Sequence, residues 1–241
     1  MIAPFRGLAA LILLAALAAC GDEGGATPKA ASTPTKATKI SNTDADDAPP
    51  IDREALKAKG YAIGDVVLGD ADAPVTIIEY ASLTCPACAA FHKNTLPSLK
   101  RDYINKGKVK LIIRELHGAR IGLYASALAR CSGPDRYYAF MDVLFRRQDN
   151  FRTQDSAENV AELRRIGKLG SLTDEKIDAC LNDNLYLNAL YRDTLANIEK
   201  DEPPATPYLI IQPGDGQKTF RGAVGPEQLG EAIDSFLSEG G

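Results

Sequence analysis

The sequence predicts an α/β fold in which a βαβ unit and a later ββα unit form one mixed sheet, with an all-helical subdomain inserted between them. Two apolar runs, Val75–Tyr80 and Val109–Arg114, have the length and composition of buried strands. The chain between them has apolar residues at helical spacing, and strands joined by a helical crossover pair in parallel. Helical spacing then continues from about residue 118 to about residue 202, where strand-like patterns return.

The junction between the first strand and its helix holds the sequence Cys85-Pro86-Ala87-Cys88. Pro86 suits the first turn of a helix, because a backbone N–H at that position would have no partner. Pro97 falls inside the same predicted helix and should kink it. The two cysteines therefore lie where a buried strand passes into a helix.

Five amphipathic helices are predicted in the inserted block, separated by Gly-rich and Pro-containing breaks. Their spans are Ala119–Cys131, Pro134–Arg147, Glu158–Gly167, Thr173–Leu181 and Leu185–Lys200. The closing ββα unit consists of strands at Tyr208–Gln212 and Lys218–Arg221 and a helix at Glu227–Leu237.

Residues 1–20 are predicted to be a signal peptide. A single Arg precedes a short apolar stretch that ends in Leu17-Ala18-Ala19-Cys20, which resembles a bacterial lipobox. In that interpretation Cys20 is lipidated and becomes the mature N-terminus. Ordinary cleavage after Ala18 and an uncleaved anchor also fit the sequence, and each alternative predicts export from the cytoplasm.

Residues 21–50 are predicted to be a disordered linker, because Ala, Thr, Pro, Gly, Asp and Lys dominate and Ile40 is the only large apolar residue. Residues 51–241 then have the length of one domain. The chain of 241 residues has a net charge of −4, which argues against a nucleic-acid partner. It has no phosphate-binding Gly-rich loop and no HExxH motif, so we expect neither a cofactor nor a bound metal.

Cys85 and Cys88 are predicted to be a redox-active pair. A thiol at the first turn of a helix meets unpaired N–H groups and the positive end of the helix dipole, which stabilise its thiolate. Cys85 should be the exposed nucleophile, and Cys88, on the buried helix face, the resolving thiol. The alternatives are a zinc half-site, which His92 could join, a merely structural disulfide, and two inert thiols.

Cys131 and Cys180 both fall on apolar stripes of predicted helices. In an exported protein they are predicted to form a structural disulfide that joins two helices. The alternative is two separate buried side chains.

The runs Glu79–Cys88 (EYASLTCPAC) and Thr206-Pro207-Tyr208 resemble the DsbA-type thiol–disulfide oxidoreductases, which have a thioredoxin-like fold and belong to bacterial cell envelopes. The resemblance extends over about residues 60–241. It implies that residues 51–241 form a thioredoxin-like DsbA-type domain. It also implies that the Thr206–Pro207 bond is cis and that Thr206, Pro207 and Tyr208 bind an extended substrate chain.

The resemblance also places an acidic residue, Glu79, beneath the cysteines. Glu79 shares a pleat face with Val75 and Ile77, so it should be buried, where its charged form is disfavoured. It could then take up or return a proton as Cys88 changes state. The alternative is a glutamate paired with a neighbour such as Arg114, with no catalytic part.

The chain departs from the strongly oxidising members in having Pro-Ala, where they usually have Pro-His, between the cysteines. The loss of that positive neighbour leaves the direction of electron flow open. His92 and His117 are expected at the surface, because the chemistry does not require them.

The resemblance implies an enzyme that introduces disulfide bonds into reduced exported proteins and is recycled by a membrane redox partner. We expect a monomer in the cell envelope, periplasmic and anchored to a membrane through a lipidated Cys20. The alternatives are an isomerase or reductase of the same fold, or a lipoprotein that binds clients or a metal without turnover.

Overall fold

A computed structural model describes residues 50–213 and 216–239 of the chain. The predicted signal peptide, the lipobox with Cys20 and all of the predicted linker except Pro50 lie outside the described residues. Within those ranges no helix combines the length and apolarity needed to cross a bilayer.

The described part of the chain contains a five-stranded sheet with the strand order β1-β3-β2-β4-β5. The strands are β1 (Val67–Leu68), β2 (Val75–Ala81), β3 (Val109–Glu115), β4 (Tyr208–Pro213) and β5 (Lys218–Arg221). The central pair, β2 and β3, is parallel, and the other three pairs are antiparallel. Six of the seven residues of β2 are buried, as the unbroken apolar pattern predicts for a central strand.

The α-helices of the described residues are α1 (Arg53–Ala58), α2 (Pro86–Asn94), α3 (Leu96–Asp102), α4 (Arg120–Cys131), α5 (Pro134–Arg146), α6 (Ser156–Leu169), α7 (Asp174–Asn182), α8 (Asn184–Asp201) and α9 (Pro226–Glu239). Apart from α1 and the division of one predicted helix into α2 and α3, the helices follow in the order that the sequence predicts. Helices α4 to α8 form a block between β3 and β4. The predicted fold class, a thioredoxin-like mixed sheet with an inserted helical subdomain, is confirmed.

The kink predicted at Pro97 is a break between two helices. Helix α2 ends at Asn94 and α3 begins at Leu96, with Thr95 between them. Pro97 has no N–H to continue the hydrogen-bond ladder of α2. The Thr95 hydroxyl donates to the Val224 carbonyl at 2.7 Å, which ties the break to the segment before α9.

Two N-terminal elements, α1 and β1, are absent from the sequence prediction. A strand of two residues is too short to show alternation, and α1 buries only Leu56. The Arg114 side chain donates to both carboxylate oxygens of Asp65 at 3.1 and 2.8 Å, just before β1 pairs with β3. For β1, the pairing with β3 and this ion pair are long-range contacts that a local pattern does not show.

Candidate active site

Cys85 lies at the N-terminus of α2, directly beyond the loop that follows β2. Its backbone is extended, with φ −91° and ψ 118°, and Pro86 is the first helical residue. The Cys85 carbonyl accepts from the Ala89 N–H at 3.2 Å, while the N–H groups of the first turn have no partners within the helix. The predicted position of the thiol at a helix N-terminus is therefore the observed one.

The Cys85 side chain is half-buried, and its Sγ lies 3.3 Å from the Thr206 carbonyl oxygen, to which the thiol donates. Burial by itself raises the pKa of this thiol. Hydrogen bonds from the Thr206 side chain and from the first turn of α2 outweigh burial, so the pKa of Cys85 is lowered on balance. Cys85 is thus the thiol of the pair that ionises more readily.

Cys88 has the opposite environment. It is fully buried, and the Ser82 N–H donates to its Sγ at 3.4 Å. Burial first, and then the charge of Glu79, raise the pKa of this thiol well above its usual value. Both cysteines are free thiols in the structure.

Gln148 from the helical block holds the loop before Cys85, and sequence reasoning missed it. This buried side chain lies in a 3₁₀ turn after α5. Its Nε2 donates to the Cys85 carbonyl at 2.9 Å and to the Leu83 carbonyl at 3.1 Å. No local pattern marks a glutamine whose partners lie more than sixty residues earlier in the chain.

The Thr206–Pro207 peptide bond is cis and precedes β4, which begins at Tyr208. Strand β4 pairs with β2, with Tyr208 opposite Tyr80. The Pro207 carbonyl accepts from the Gly222 N–H at 2.8 Å, which fixes the loop to the end of β5. The fold therefore brings Thr206 against Cys85, although the two are far apart in the sequence.

Glu79 is fully buried, and His92 is its partner. The His92 Nε2 lies 3.0 Å from Glu79 Oε2 and 3.2 Å from Oε1. The expectation that His92 is a surface residue is wrong: it is 4% exposed, because it follows Cys88 by one helical turn and faces the sheet.

Arg114 does not reach Glu79, so the suggested Glu79–Arg114 pair is also wrong. In the parallel β2–β3 ladder Arg114 is opposite Tyr80, whereas Glu79 is opposite Ile113. Neighbouring residues of a strand point to opposite faces. Arg114 accordingly donates to Asp65, to the Tyr80 hydroxyl and to Asp201 on the other face.

His117, also expected at the surface, is only partly exposed. It is half-buried after β3, and its Nδ1 lies 3.5 Å from the Ser126 hydroxyl. Burial lowers the pKa of His117 to about 4, against the opposing effect of the Glu115 charge. Its imidazole is therefore neutral at neutral pH.

Cys131 at the end of α4 and Cys180 in α7 form a disulfide, with their Cα atoms 6.1 Å apart. Both are buried in a second apolar cluster that includes Tyr61 and Tyr186. Within the described ranges, no three His, Cys, Asp or Glu side chains are grouped as a metal site. The Nε2 atom of His92 is engaged by the Glu79 carboxyl group.

The family model described as Thioredoxin matches residues 62–235 of the chain. A candidate protein-disulfide oxidoreductase of Rickettsia bellii is 31% identical over 176 residues, which cover 73% of this chain and 65% of the relative. The disulfide bond formation protein D of Bacillus subtilis is 26% identical over 192 residues, with 76% and 82% covered. The chain thus spans about two thirds or less of the length of the Rickettsia relatives.

Among solved structures, the crystal structure of alpha-DsbA1 from Wolbachia pipientis superposes with a TM-score of 0.68 and 29% identity, covering 73% of this chain and 92% of that one. The matched region contains the strand, the CPAC segment, the helical block and the cis-proline strand described above. The chain belongs to the thioredoxin family, among the DsbA-type proteins.

Proposed function

We propose that the chain is a protein-disulfide oxidoreductase that introduces disulfide bonds into exported proteins through Cys85 and Cys88. The observation that carries the proposal is the asymmetry of the two thiols. Cys85 is half-buried with a lowered pKa, whereas Cys88 is buried with a strongly raised pKa. One sulfur can therefore meet a substrate as a thiolate or leave as one, while the other stays inside.

The oxidising reaction begins with the Cys85–Cys88 disulfide. A substrate thiolate attacks Cys85 Sγ, a mixed disulfide forms, and Cys88 leaves as a thiolate that takes up a proton. A second substrate thiolate then attacks the substrate sulfur of the mixed disulfide, and Cys85 leaves as a thiolate. The lowered pKa of Cys85 makes it a good leaving group, which favours release of an oxidised substrate.

Glu79 is the proposed proton partner of Cys88. Its carboxyl group is buried below α2, and its charge acts on the Cys88 thiol. A buried carboxyl group can hold a proton that it exchanges with a neighbouring thiol. This role would make Glu79 catalytic, together with the two cysteines.

Thr206, Pro207 and Tyr208 are the proposed substrate-binding segment. The Thr206 carbonyl lies 3.3 Å from the Cys85 sulfur, so an extended peptide bound along this segment would place its own cysteine at that sulfur. Backbone pairing of this kind tolerates many sequences, which suits an enzyme that acts on different exported proteins.

The cellular setting belongs to the same proposal. The N-terminal pattern suggests a periplasmic or envelope location with a membrane anchor at Cys20. The family resemblance adds reduced exported proteins as substrates, a membrane redox partner for recycling and a monomeric state. The name of the Bacillus subtilis relative, which refers to disulfide bond formation, supports an oxidising direction.

The test is the reduction potential of the Cys85/Cys88 couple, measured by glutathione titration of the purified protein. We expect a value closer to about −120 mV, the strongly oxidising end of the range for this fold, than to the thioredoxin end. A value near about −270 mV would instead identify a reductant. If no redox transition occurs at the pair, the proposed function is wrong.

A further inference from the structure

His92 lies one helical turn beyond Cys88 on α2, and both side chains are buried. Its Nε2 is shared between the two carboxylate oxygens of Glu79, at 3.0 and 3.2 Å. The two side chains are 2% and 0% exposed. The carboxyl group beneath Cys88 is therefore one half of a buried acid–imidazole pair.

The His92 ring is fixed by aromatic contacts. It stacks on Phe145 with the ring centroids 3.8 Å apart and meets Phe91 edge-on at 5.8 Å. These contacts hold the plane of the ring, so Nε2 stays directed at Glu79. The position of the Glu79 carboxyl group thus depends on a histidine that α5 and α2 hold in place.

The second ring nitrogen, Nδ1, is buried and has no hydrogen-bond partner among the described residues. With a proton on Nε2 alone and an ionised Glu79, the pair carries an uncompensated buried negative charge, which is costly. One more proton neutralises the pair, but on Nδ1 it would be a buried N–H without an acceptor. Each form therefore leaves one buried group of the pair unsatisfied.

The surroundings offer few other proton partners. Cys88 on α2 and Tyr138 on α5 are titratable groups on which the Glu79 charge acts. The Tyr138 hydroxyl is shared between the carbonyls of Val66 and Leu111, both at 2.7 Å. Helix α3 contributes the apolar Leu96 and Leu99 to this core. Of the two titratable groups, Cys88 is the one whose protonation changes in thiol–disulfide exchange.

We propose that Glu79 and His92 together form the proton reservoir of Cys88, with His92 as a positioning residue that shares the proton with Glu79. The inference rests on the proposed function. When a substrate thiolate attacks Cys85, the Cys85–Cys88 bond breaks and its electron pair passes to Cys88. The pair then gives its proton to the Cys88 thiolate. During re-oxidation Cys88 returns that proton as it attacks a mixed disulfide at Cys85, and the thiol of the oxidising partner leaves.

The direct test uses the fact that the chain has two histidines, His92 and His117. The purified protein is labelled with ¹⁵N-histidine, the His92 signals are assigned with His92→Gln, and NMR spectra are recorded from pH 4 to 9 in both redox states. We expect the His92 titration midpoint to shift by at least half a pH unit on reduction. Superimposable His92 titrations in the two states would overturn the inference. If Cys85 and Cys88 show no redox transition in the glutathione titration, the proposed function is overturned instead.

Kinetics provide a second readout. The oxidised protein is reduced with dithiothreitol across the same pH range. His92→Phe keeps an aromatic ring against Phe145 but removes both ring nitrogens. We expect this variant and Glu79→Gln each to slow reduction about tenfold. The double variant should be no slower than the slower single variant, because the two residues act as one unit.

His92→Gln separates positioning from proton storage. Glutamine can donate an N–H to Glu79 but cannot take up a proton. We expect it to lose the wild-type pH dependence of reduction. The inference is overturned if dithiothreitol reduces both His92→Phe and His92→Gln within about twofold of the wild-type rate and with the wild-type pH profile. His92 would then be only a core residue.

Discussion

The described part of the chain contains two cysteine pairs in opposite environments. Cys85 and Cys88 are separated by two residues at a strand–helix junction, and one of them is half-buried. Cys131 and Cys180 are separated by 49 positions, join α4 to α7, and are 2% and 0% exposed. The first pair consists of free thiols in the structure and the second is bonded.

The difference follows from loop length and exposure. A bond across two residues removes little chain entropy from the unfolded state, so it can open and close without large changes in fold stability. A bond that closes a long loop constrains the unfolded chain much more. Exchange also needs an accessible thiolate, which the helix N-terminus provides for Cys85 and which the core around Cys180 does not.

The largest effect should come from removal of the nucleophile. Cys85→Ser is expected to lower the rate of oxidation of a reduced dithiol peptide by about 10³-fold or more, because no mixed disulfide can form. Peptide oxidation is followed with a thiol reagent, and thermal unfolding checks that the variant is folded. Substantial remaining activity in a folded Cys85→Ser protein would show that this pair is not the redox centre.

Removal of the buried thiol should give a different result. Cys88→Ser leaves the nucleophile in place but removes the sulfur that resolves mixed disulfides, so covalent adducts at Cys85 should accumulate. Non-reducing gels and intact-mass spectrometry after incubation with a peptide disulfide would detect them. If adducts instead accumulated on Cys88 in the Cys85→Ser protein, the assigned roles would be reversed.

The bonded pair should affect stability without affecting chemistry. Replacing both Cys131 and Cys180 by Ala is expected to lower the free energy of unfolding by about 3–4 kcal/mol, from the loop that the bond closes. Urea unfolding measures the loss, and wild-type protein unfolded with a reductant is the matched control. Peptide oxidation by the folded variant should stay within about twofold of wild type; a loss like that of Cys85→Ser would show that the two pairs are coupled.

Gln148 links the helical block to the reactive pair, and its loss should have an intermediate effect. Gln148→Leu keeps similar bulk but leaves the carbonyls of Leu83 and Cys85 without this donor, at a cost of about 1–3 kcal/mol. Gln148→Glu, which is isosteric but cannot donate when ionised, is the matched variant. Urea unfolding gives the stability of both. Wild-type stability in both variants would show that water replaces the amide.

The smallest effect concerns pH and distinguishes the titrating pair from the bonded one. In the reduced protein the pKa of Cys85 is lower than its ordinary value of 9.0, so its contribution to stability is present above pH 9.0 and is lost as the pH falls through the folded pKa. The raised pKa of Cys88 has the opposite effect on stability. Its contribution to the free energy of unfolding is present below pH 9.0 and is lost as the pH rises above that value.

Stability of the reduced protein should therefore rise with pH toward about pH 9 and fall beyond it. Urea unfolding at a series of pH values measures this, with Cys85→Ser as the control that lacks the rise. A reduced wild-type protein whose stability follows that of Cys85→Ser at every pH would contradict the lowered pKa of Cys85.

Most of the fold could be predicted from local patterns. The run Val75–Ala81, the proline after Cys85 and the amphipathic helices between β3 and β4 each carry a signal within a few residues. Such signals depend on backbone geometry and on which face is apolar, and both are encoded locally. The two-residue β1 and the break at Thr95 were missed or misjudged, because tertiary contacts decide them.

For the site, the sequence by itself determined the position of Cys85 at a helix start, the burial of Cys88 and the burial of Glu79. The tertiary structure alone decided which side chains surround them. His92, predicted at the surface, lies against Glu79, and Gln148 reaches the Cys85 carbonyl from the helical block. A helix or strand fixes the direction of a side chain within one element, whereas a hydrogen-bond partner from another element depends on how the elements pack.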